Sequence, residues 1–376
     1  MHQTARQDLG RFFCVLPFSY AEIHPNGKVY MCCPRYSGLR AIGNVFTDAP
    51  HEIWNSARAQ RIRAGIHDGS FRLCDHKECP NIAGHDLPLR QHVLENPEIA
   101  PFARAGALVL PKGPSTVKLC HDESCNLSCP SCRRRLMVAD KARQAKLDRM
   151  VDEFILPFLA DTRLLVLSGD GDPFASKHYR DVLKATQQNH PRLRIGLHTN
   201  GVLCDERAWA DCRLEDRVES VEVSIDAALP HTYAIVRRGG DFARLLRNLA
   251  FLSRQRQAGQ IKELQLSFVV QAANFREMPA FVALGKELKV DRIRFALIRH
   301  WRRGLSLNEY PRARVWSARH PEFAEFQRVL RDPLLVDRIV WPSDVGPFIA
   351  EARGAPAPRA AAPANMFERV GTWIGR

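Results

Sequence analysis

Apolar and polar positions change their period along this chain. Near the N-terminus two short apolar runs, Phe18 to Ile23 and Val29 to Cys32, flank Pro25-Asn26-Gly27. Such runs around an Asn-Gly pair predict a β-hairpin. A helix is predicted next, from Asp48 or Pro50 through Ile53, Trp54 and Ile62, ending near Gly65. Beyond about residue 106, short apolar runs alternate with amphipathic stretches. Strands are predicted at 116–120, 164–168, 194–199, 221–225, 264–270 and 293–296, with helices at 147–158, 177–188, 206–210, 242–253 and 275–288. This order predicts an α/β fold with parallel strands in an open or partial barrel of six units. In such folds the chemistry gathers at the C-terminal strand ends.

The division expected from these patterns is a small domain at 1–105, a core at 106–300, a packing segment at 301–350 and a tail at 351–376. Trp301, Trp316 and Trp341 and a helix near 323–330 belong to the packing segment. The tail is rich in Pro and Ala and cannot build a core. Met366, Phe367, Trp373 and Ile374 give its end a few apolar anchors.

Charge narrows the partners. The formal net charge is +14 over 376 residues. That favours an anionic partner: nucleic acid, a phosphorylated metabolite or an acidic electron carrier. The arginines are scattered, with short runs at Arg133 to Arg135 and Arg302 to Arg303. A nucleic-acid binder concentrates them more, so that class is disfavoured. No apolar stretch of about 18 residues predicts a membrane span. The N-terminus lacks the h-region of a signal peptide. A cytoplasmic protein is expected.

Eleven cysteines, an odd number, point to metal rather than disulfides in such a protein. Cys125, Cys129 and Cys132 lie in Cys-Asn-Leu-Ser-Cys-Pro-Ser-Cys. Three thiolates in a tight loop can hold three irons of a four-iron cluster and leave the fourth open. Cys14 and Cys32 bracket the hairpin, and Cys74 and Cys79 follow the helix. Four thiolates of this kind select zinc or an iron–sulfur cluster, which spacing alone does not separate. Cys33 beside Cys32 is a further ambiguity, since neighbours in a strand point to opposite faces. Cys120 reads as a strand cysteine, and Cys204 and Cys212 as buried thiols.

Polar motifs fall where the predicted strands end. Gly169-Asp170-Gly171-Asp172-Pro173 follows the second strand, and Thr199-Asn200-Gly201 follows the third. Ser224 and Asp226 close the fourth, and Asn274 lies past the fifth. A glycine-rich strand end lets backbone approach a ligand closely. Asp172 is placed to accept from an amine, and the hydroxyls and amides to hold a ribose.

With these residues the chain resembles the radical S-adenosylmethionine (SAM) enzymes. Cys125, Cys129 and Cys132 match their three-cysteine signature, and Gly169 to Pro173 looks like their Gly-Gly-Glu-Pro element. Thr199 to Leu203 and Ser224-Ile225-Asp226 look like the sequences ending their third and fourth core strands. The first domain resembles the SPASM type of auxiliary-cluster domain. The spacing of Cys14, Gly27 and Cys32 matches, as do Ile42-Gly43-Asn44-Val45 and Glu52-Ile53-Trp54-Asn55. The resemblance picks Cys32 over Cys33 and a second 4Fe–4S cluster over zinc. It implies a reducible 4Fe–4S cluster on the three cysteines and SAM on its open iron. One-electron cleavage then gives a 5′-deoxyadenosyl radical that abstracts a substrate hydrogen atom. It implies the auxiliary 4Fe–4S cluster on Cys14, Cys32, Cys74 and Cys79, and a flavodoxin or ferredoxin as electron donor. Gly169, Asp170, Gly171, Asp172, Thr199, Asn200, Ser224 and Asp226 are the implied cofactor-binding residues.

The leading substrate expectation is a peptide or protein. The alternative is dehydrogenation or epimerisation of a small polar or phosphorylated metabolite. A non-catalytic iron–sulfur protein that binds a partner is a third reading. The chain departs from the family pattern in several ways, one being too few cysteines for the two auxiliary clusters of fuller SPASM domains. Its auxiliary domain precedes the core, Ser131 stands where an aromatic residue is frequent, and Asp172 replaces Glu.

Overall fold

The computed structural model describes residues 9–34, 38, 40–76, 78–83, 87–300 and 304–354. Trp301, Arg302, Arg303 and the tail from residue 355 lie outside the described residues. The chain forms two compact units. One is built from the residues up to His121 together with Ala145–Leu165; the other comprises Asp122–Gln144 and the chain from Val166. No helix among the described residues is long and apolar enough to cross a membrane.

In the first unit the hairpin forms from β1 (Tyr20–Ile23) and β2 (Lys28–Tyr30), paired antiparallel with Glu22 opposite Tyr30. Both strands are shorter than their apolar runs. Leu16–Ser19 turns into a short helix, which takes up Phe18. Gly27 at the turn has φ +78°, and a Cβ there would collide with Asn44 and Phe46. The close approach explains the glycine. β3 (Gly43–Asn44) pairs with β2, and β4 (Thr116–Leu119) runs parallel to β1 on its other side. The order is β4-β1-β2-β3.

The single helix expected from residue 50 to residue 65 is two, Pro50–Trp54 and Ala57–His67. Ser56 separates them because its hydroxyl caps the second, accepting from Ala59 N. Asn55, in the gap, accepts from Leu110 N at 2.9 Å and donates to Leu110 O at 2.9 Å. Arg63 is fully buried beneath them. It donates to Pro17 O (2.9 Å), Trp54 O (2.9 Å), Leu108 O (2.7 Å) and Asn55 Oδ1 (3.1 Å), and its guanidinium lies 4.7 Å from the centre of the Trp54 ring. Burial pulls its pKa down to about 9, so it remains a cation at neutral pH. Neutral carbonyls rather than a carboxylate satisfy this charge, and they come from three separate chain segments.

β5 (Leu164–Leu167) leads into the second unit, where it is followed by β6 (Arg194–Thr199), β7 (Val218–Ser224), β8 (Ile261–Val270), β9 (Arg292–Leu297) and β10 (Val340–Trp341). β6 to β10 pair in chain order, every pair parallel. The expected strands are present within a few residues. β10 is an addition from the segment expected only to pack. Helices intervene at Lys177–Asn189, Glu206–Asp211, Pro230–Val236, Phe242–Gln257 and Met278–Glu287. Ser176, Asp205 and Asp241 cap three of them through their side-chain oxygens. Leu245, Leu249 and Leu252 bury the helix Phe242–Gln257, and Phe268, Phe281 and Phe295 pack ring against ring between β8, β9 and the next helix. The stretch expected as one helix at 147–158 is α-helical over Lys141–Met150, π-helical over Val151–Ile155 and α-helical again over Leu156–Phe158.

Arg63→Met should cost on the order of 4 kcal/mol, because several buried acceptors lose their donor at once. Arg63→Lys should rescue little, since an ammonium cannot span four acceptors. Anaerobic thermal unfolding of the full chain checks this; midpoints equal to the parent's would refute the clamp.

Candidate active site

The second unit places the three-cysteine loop, the glycine run and the end of β6 together. Cys125 N donates to Met137 O at 2.8 Å, and Cys132 N and Arg133 N both donate to Cys129 O at 2.9 Å. Leu127, buried at the loop's centre, anchors the turn. The sulfurs collect donors. Leu127 N lies 3.5 Å and Asn200 Nδ2 3.8 Å from Cys125 Sγ, Arg237 Nη1 3.8 Å from Cys129 Sγ, and Arg133 Nε 3.4 Å from Cys132 Sγ. Burial pushes the Cys125 thiol up to about 11, and the Asp172 carboxylate adds to it. Burial also raises Cys129, against the pull of Arg237. Arg133, itself buried, lies within electrostatic reach of all three sulfurs. It donates to Glu123 O at 2.7 Å and to Asp170 O.

The glycine run folds back onto this loop. Asp172 N donates to Ser124 O at 2.8 Å. A Cβ on Gly171 would stand 2.8 Å from Ser124 O and nearer still to Asp122 O. Ser168, in the left-handed region at φ +78°, donates to Gly171 O at 2.6 Å. Gly169 and Asp170 lie exposed at the tip of the turn. Asp172 is buried, and both its oxygens are occupied. Oδ2 accepts from Thr199 Oγ1 and Asn200 N, each at 2.8 Å; Oδ1 accepts from Phe174 N at 3.0 Å and Ala175 N at 3.2 Å. Burial raises its pKa, with these four donors opposing the rise. The carboxylate thus braces the end of β5 to the end of β6. Asn200 continues the link by donating to Asn126 Oδ1 at 2.9 Å.

Asp226 joins the site through an intermediary, while Ser224 stands apart. Ser224 Oγ meets Ser267 Oγ at 3.2 Å across β7 and β8. Asp226 Oδ2 lies 2.8 Å from Arg237 Nη2, and Arg237 reaches Cys129. Sequence reasoning missed Arg133 and Arg237 as site residues; Arg133 sits in the run Arg133 to Arg135, and Arg237, next to Arg238, was not singled out. The adjacency of Arg133 to Cys132 was the available signal.

In the first unit Cys14, Cys32, Cys74 and Cys79 converge. Burial raises all four thiols, Cys74 to about 12; Cys14 also feels Cys74 and Cys79, and Cys32 feels Cys14, Cys74 and Cys79. Cys33 lies within electrostatic reach of both Cys32 and Tyr20. Cys120, at the end of β4, is buried with its Sγ 3.6 Å from Glu22 Oε1, and Glu22 also holds His24 at 2.7 Å. Cys204 and Cys212 are buried.

Both donor sets fit iron–sulfur clusters. Crowded, desolvated thiols become stable thiolates beside a cation, which a cluster's irons would supply. Around the three-cysteine loop, buried Arg237 Nε and Tyr233 Oη have no hydrogen-bond partner among the described residues, as donors facing an anionic group would. Gly171→Ala should destabilise the chain by about 2 kcal/mol and displace the loop. Iron content and thermal midpoint measure it; full iron with an unchanged midpoint would refute the close approach.

Comparison with known proteins adds the following. Residues 14–80 match the model of an iron-sulfur cluster-binding domain, SPASM, and residues 120–258 match the radical SAM superfamily. GTP 3′,8-cyclase 2 of Mycobacterium bovis and of Mycobacterium tuberculosis are each 29% identical over 259 residues, covering 61% of this chain. The chain spans 64% of those relatives' length. Among solved structures, SuiB of Streptococcus suis is 16% identical with a TM-score of 0.39, covering 69% of this chain and 58% of SuiB. The structure of anSMEcpe with AdoMet and a peptide is 19% identical at 0.34, covering 52% and 56%. The two matched domains take in both cysteine sets, and the chain belongs to the radical SAM enzymes, with a SPASM iron–sulfur domain ahead of its core.

Proposed function

We propose that this enzyme cleaves SAM reductively and uses the resulting radical to abstract a hydrogen atom from a peptide or protein, with the auxiliary cluster accepting or relaying an electron. The observation that carries the reaction class is the three-sulfur loop, donor-rich on each sulfur and packed against the glycine backbone of Gly171. Cys125, Cys129 and Cys132 would hold the reducible cluster. When bound, SAM on the open iron supplies the carbon-centred radical. Asp172 has its lone pairs committed to protein donors, so its part is to fix the strand ends. Contacts to the cofactor then fall to the backbone of Gly169, Asp170 and Gly171 and to Asn200. Cys14, Cys32, Cys74 and Cys79 would hold the auxiliary cluster. The net charge of +14 suits docking of an acidic flavodoxin or ferredoxin in a reducing cytoplasm.

A second substrate reading rests on one face of the second unit's sheet. His198, Glu222 and Arg294 form a charged row across β6, β7 and β9, with Glu222 3.7 Å from His198 and 3.5 Å from Arg294. Arg294 also lies over the Trp341 ring at 5.4 Å. Such a row suits a small anionic or phosphorylated metabolite, and the curated relatives are named for a reaction of GTP. Arg294→Ala should raise the KM of a phosphorylated substrate about tenfold with little change in kcat. For a peptide substrate KM should stay within about twofold, which makes the variant a discriminator.

The reaction itself is tested by incubating anaerobically reconstituted protein with SAM and a strong reductant and quantifying 5′-deoxyadenosine. Product above a reductant-only control should vanish when Cys125, Cys129 and Cys132 are replaced by Ala. Cys74→Ala should abolish turnover of the true substrate yet spare much of the uncoupled cleavage. Complete loss of cleavage in a folded Cys74→Ala protein would refute the division of roles between the two cysteine sets.

A further inference from the structure

Arg237 is a buried cation whose place in the fold is unusually constrained. Its side chain is 12% exposed. One nitrogen, Nη2, is 2.8 Å from Asp226 Oδ2, and another, Nη1, is 3.8 Å from Cys129 Sγ. Its counter-ion is held by the backbone rather than by solvent. Asp226 sits at φ +61°, a conformation that costs a non-glycine residue energy and persists only where the surroundings fix it. Three bonds do so. Val269 N donates to Asp226 Oδ1 at 2.7 Å, Asn274 Nδ2 donates to Asp226 O at 2.9 Å, and Asn274 Oδ1 accepts from Gln271 N at 2.8 Å. The following segment is tied to the cysteine loop as well: Ser128 N donates to Arg238 O at 3.0 Å, and Arg238 Nε to Ser128 Oγ at 3.1 Å.

We propose that Arg237, aimed by Asp226, is a positioning residue that sets the reduction potential of the cluster on the three-cysteine loop through Cys129. Reduction adds one negative charge to the cluster. A guanidinium fixed beside a ligand sulfur in a low-dielectric interior favours that charge, whereas the carboxylate behind it opposes it. The cation is nearer to the sulfur, so its effect leads. The pair has a signature that a merely structural role lacks: neutralising its two members should move the potential in opposite directions. The inference rests on Cys125, Cys129 and Cys132 as the ligands.

The test is a redox titration of the reconstituted full chain without SAM, followed by electron paramagnetic resonance, with iron quantified in each variant. The relevant signal is the one lost when Cys125, Cys129 and Cys132 are all replaced by Ala. A signal unchanged in that triple variant would overturn the ligand assignment itself. At the applied potential that half-reduces the parent cluster, Arg237→Gln should lower the ratio of reduced to oxidised cluster about tenfold, a shift of about 59 mV for one electron. Asp226→Asn keeps the shape and tolerates the left-handed backbone, and it should raise the ratio. Arg237→Lys should stay within about threefold of the parent because the charge is kept. With full iron, an unchanged ratio in Arg237→Gln, or shifts of the same sign in Arg237→Gln and Asp226→Asn, would overturn the proposal. Should Arg237→Gln lose iron, Asp226→Asn decides: a raised ratio supports the proposal, and an unchanged or lowered one overturns it.

Discussion

The carboxylate of Asp172 is the interaction on which the rest of the site depends. It is buried, so its charge is costly unless every lone pair finds a donor. Four donors do so: two from the turn that follows it and two from the end of β6. Its own N–H is given to Ser124, on the entry to the cysteine loop. One residue thus joins three chain segments. The shorter side chain matters here, because Asp at a strand end readily accepts from the N–H groups two and three residues on. Gly171 is the other half of the constraint, since any side chain would separate the glycine run from the carbonyls of Asp122 and Ser124.

The first unit meets a comparable problem by other means. Four half-buried thiols must be brought together from a loop, a hairpin and the segment after a helix. Arg63 joins chain segments there as a cation, gathering carbonyls that precede, connect and follow the helices. The motif Glu52-Ile53-Trp54-Asn55 then has a physical content. Trp54 roofs the guanidinium, and Asn55 ties the gap between the helices to Leu110. In Ile42-Gly43-Asn44-Val45, Asn44 plays a similar part. It donates to Asn26 O and accepts from Phe46 N, closing the hairpin turn against β3.

Much of this was legible from residue order. The six core strands were visible because β-rich apolar runs of four to ten residues alternate with amphipathic helices, and tertiary packing only extended them at their ends. The cysteine sets were visible because soft ligands at short spacing have few other uses. Less visible were breaks and reach. A helix from 50 to 65 looked continuous because its apolar positions keep the period, while Ser56 acts locally by offering the backbone another partner. β10 was hidden because two residues carry no period. Asp172 was recognised, yet its saturation was not, because donors from Thr199 and Asn200 arrive from a distant segment.

Arg133 and Arg237 show why charge counting alone misleads. Both lie in basic runs, and a run of arginines in sequence suggests a solvated face. In the fold they turn inward on the cysteine loop and are satisfied differently. Arg133 rests on carbonyl oxygens from Glu123 and Asp170, so it leaves a full positive charge beside the sulfurs. Arg237 is paired with Asp226, so the loop sees an oriented dipole with its cationic end toward Cys129. With Asp172 raised by burial on the side of Cys125, the three sulfurs are chemically unequal. On a cluster held by these sulfurs, charge added on reduction would be stabilised unevenly, by fixed donors that would need no rearrangement when the electron arrives.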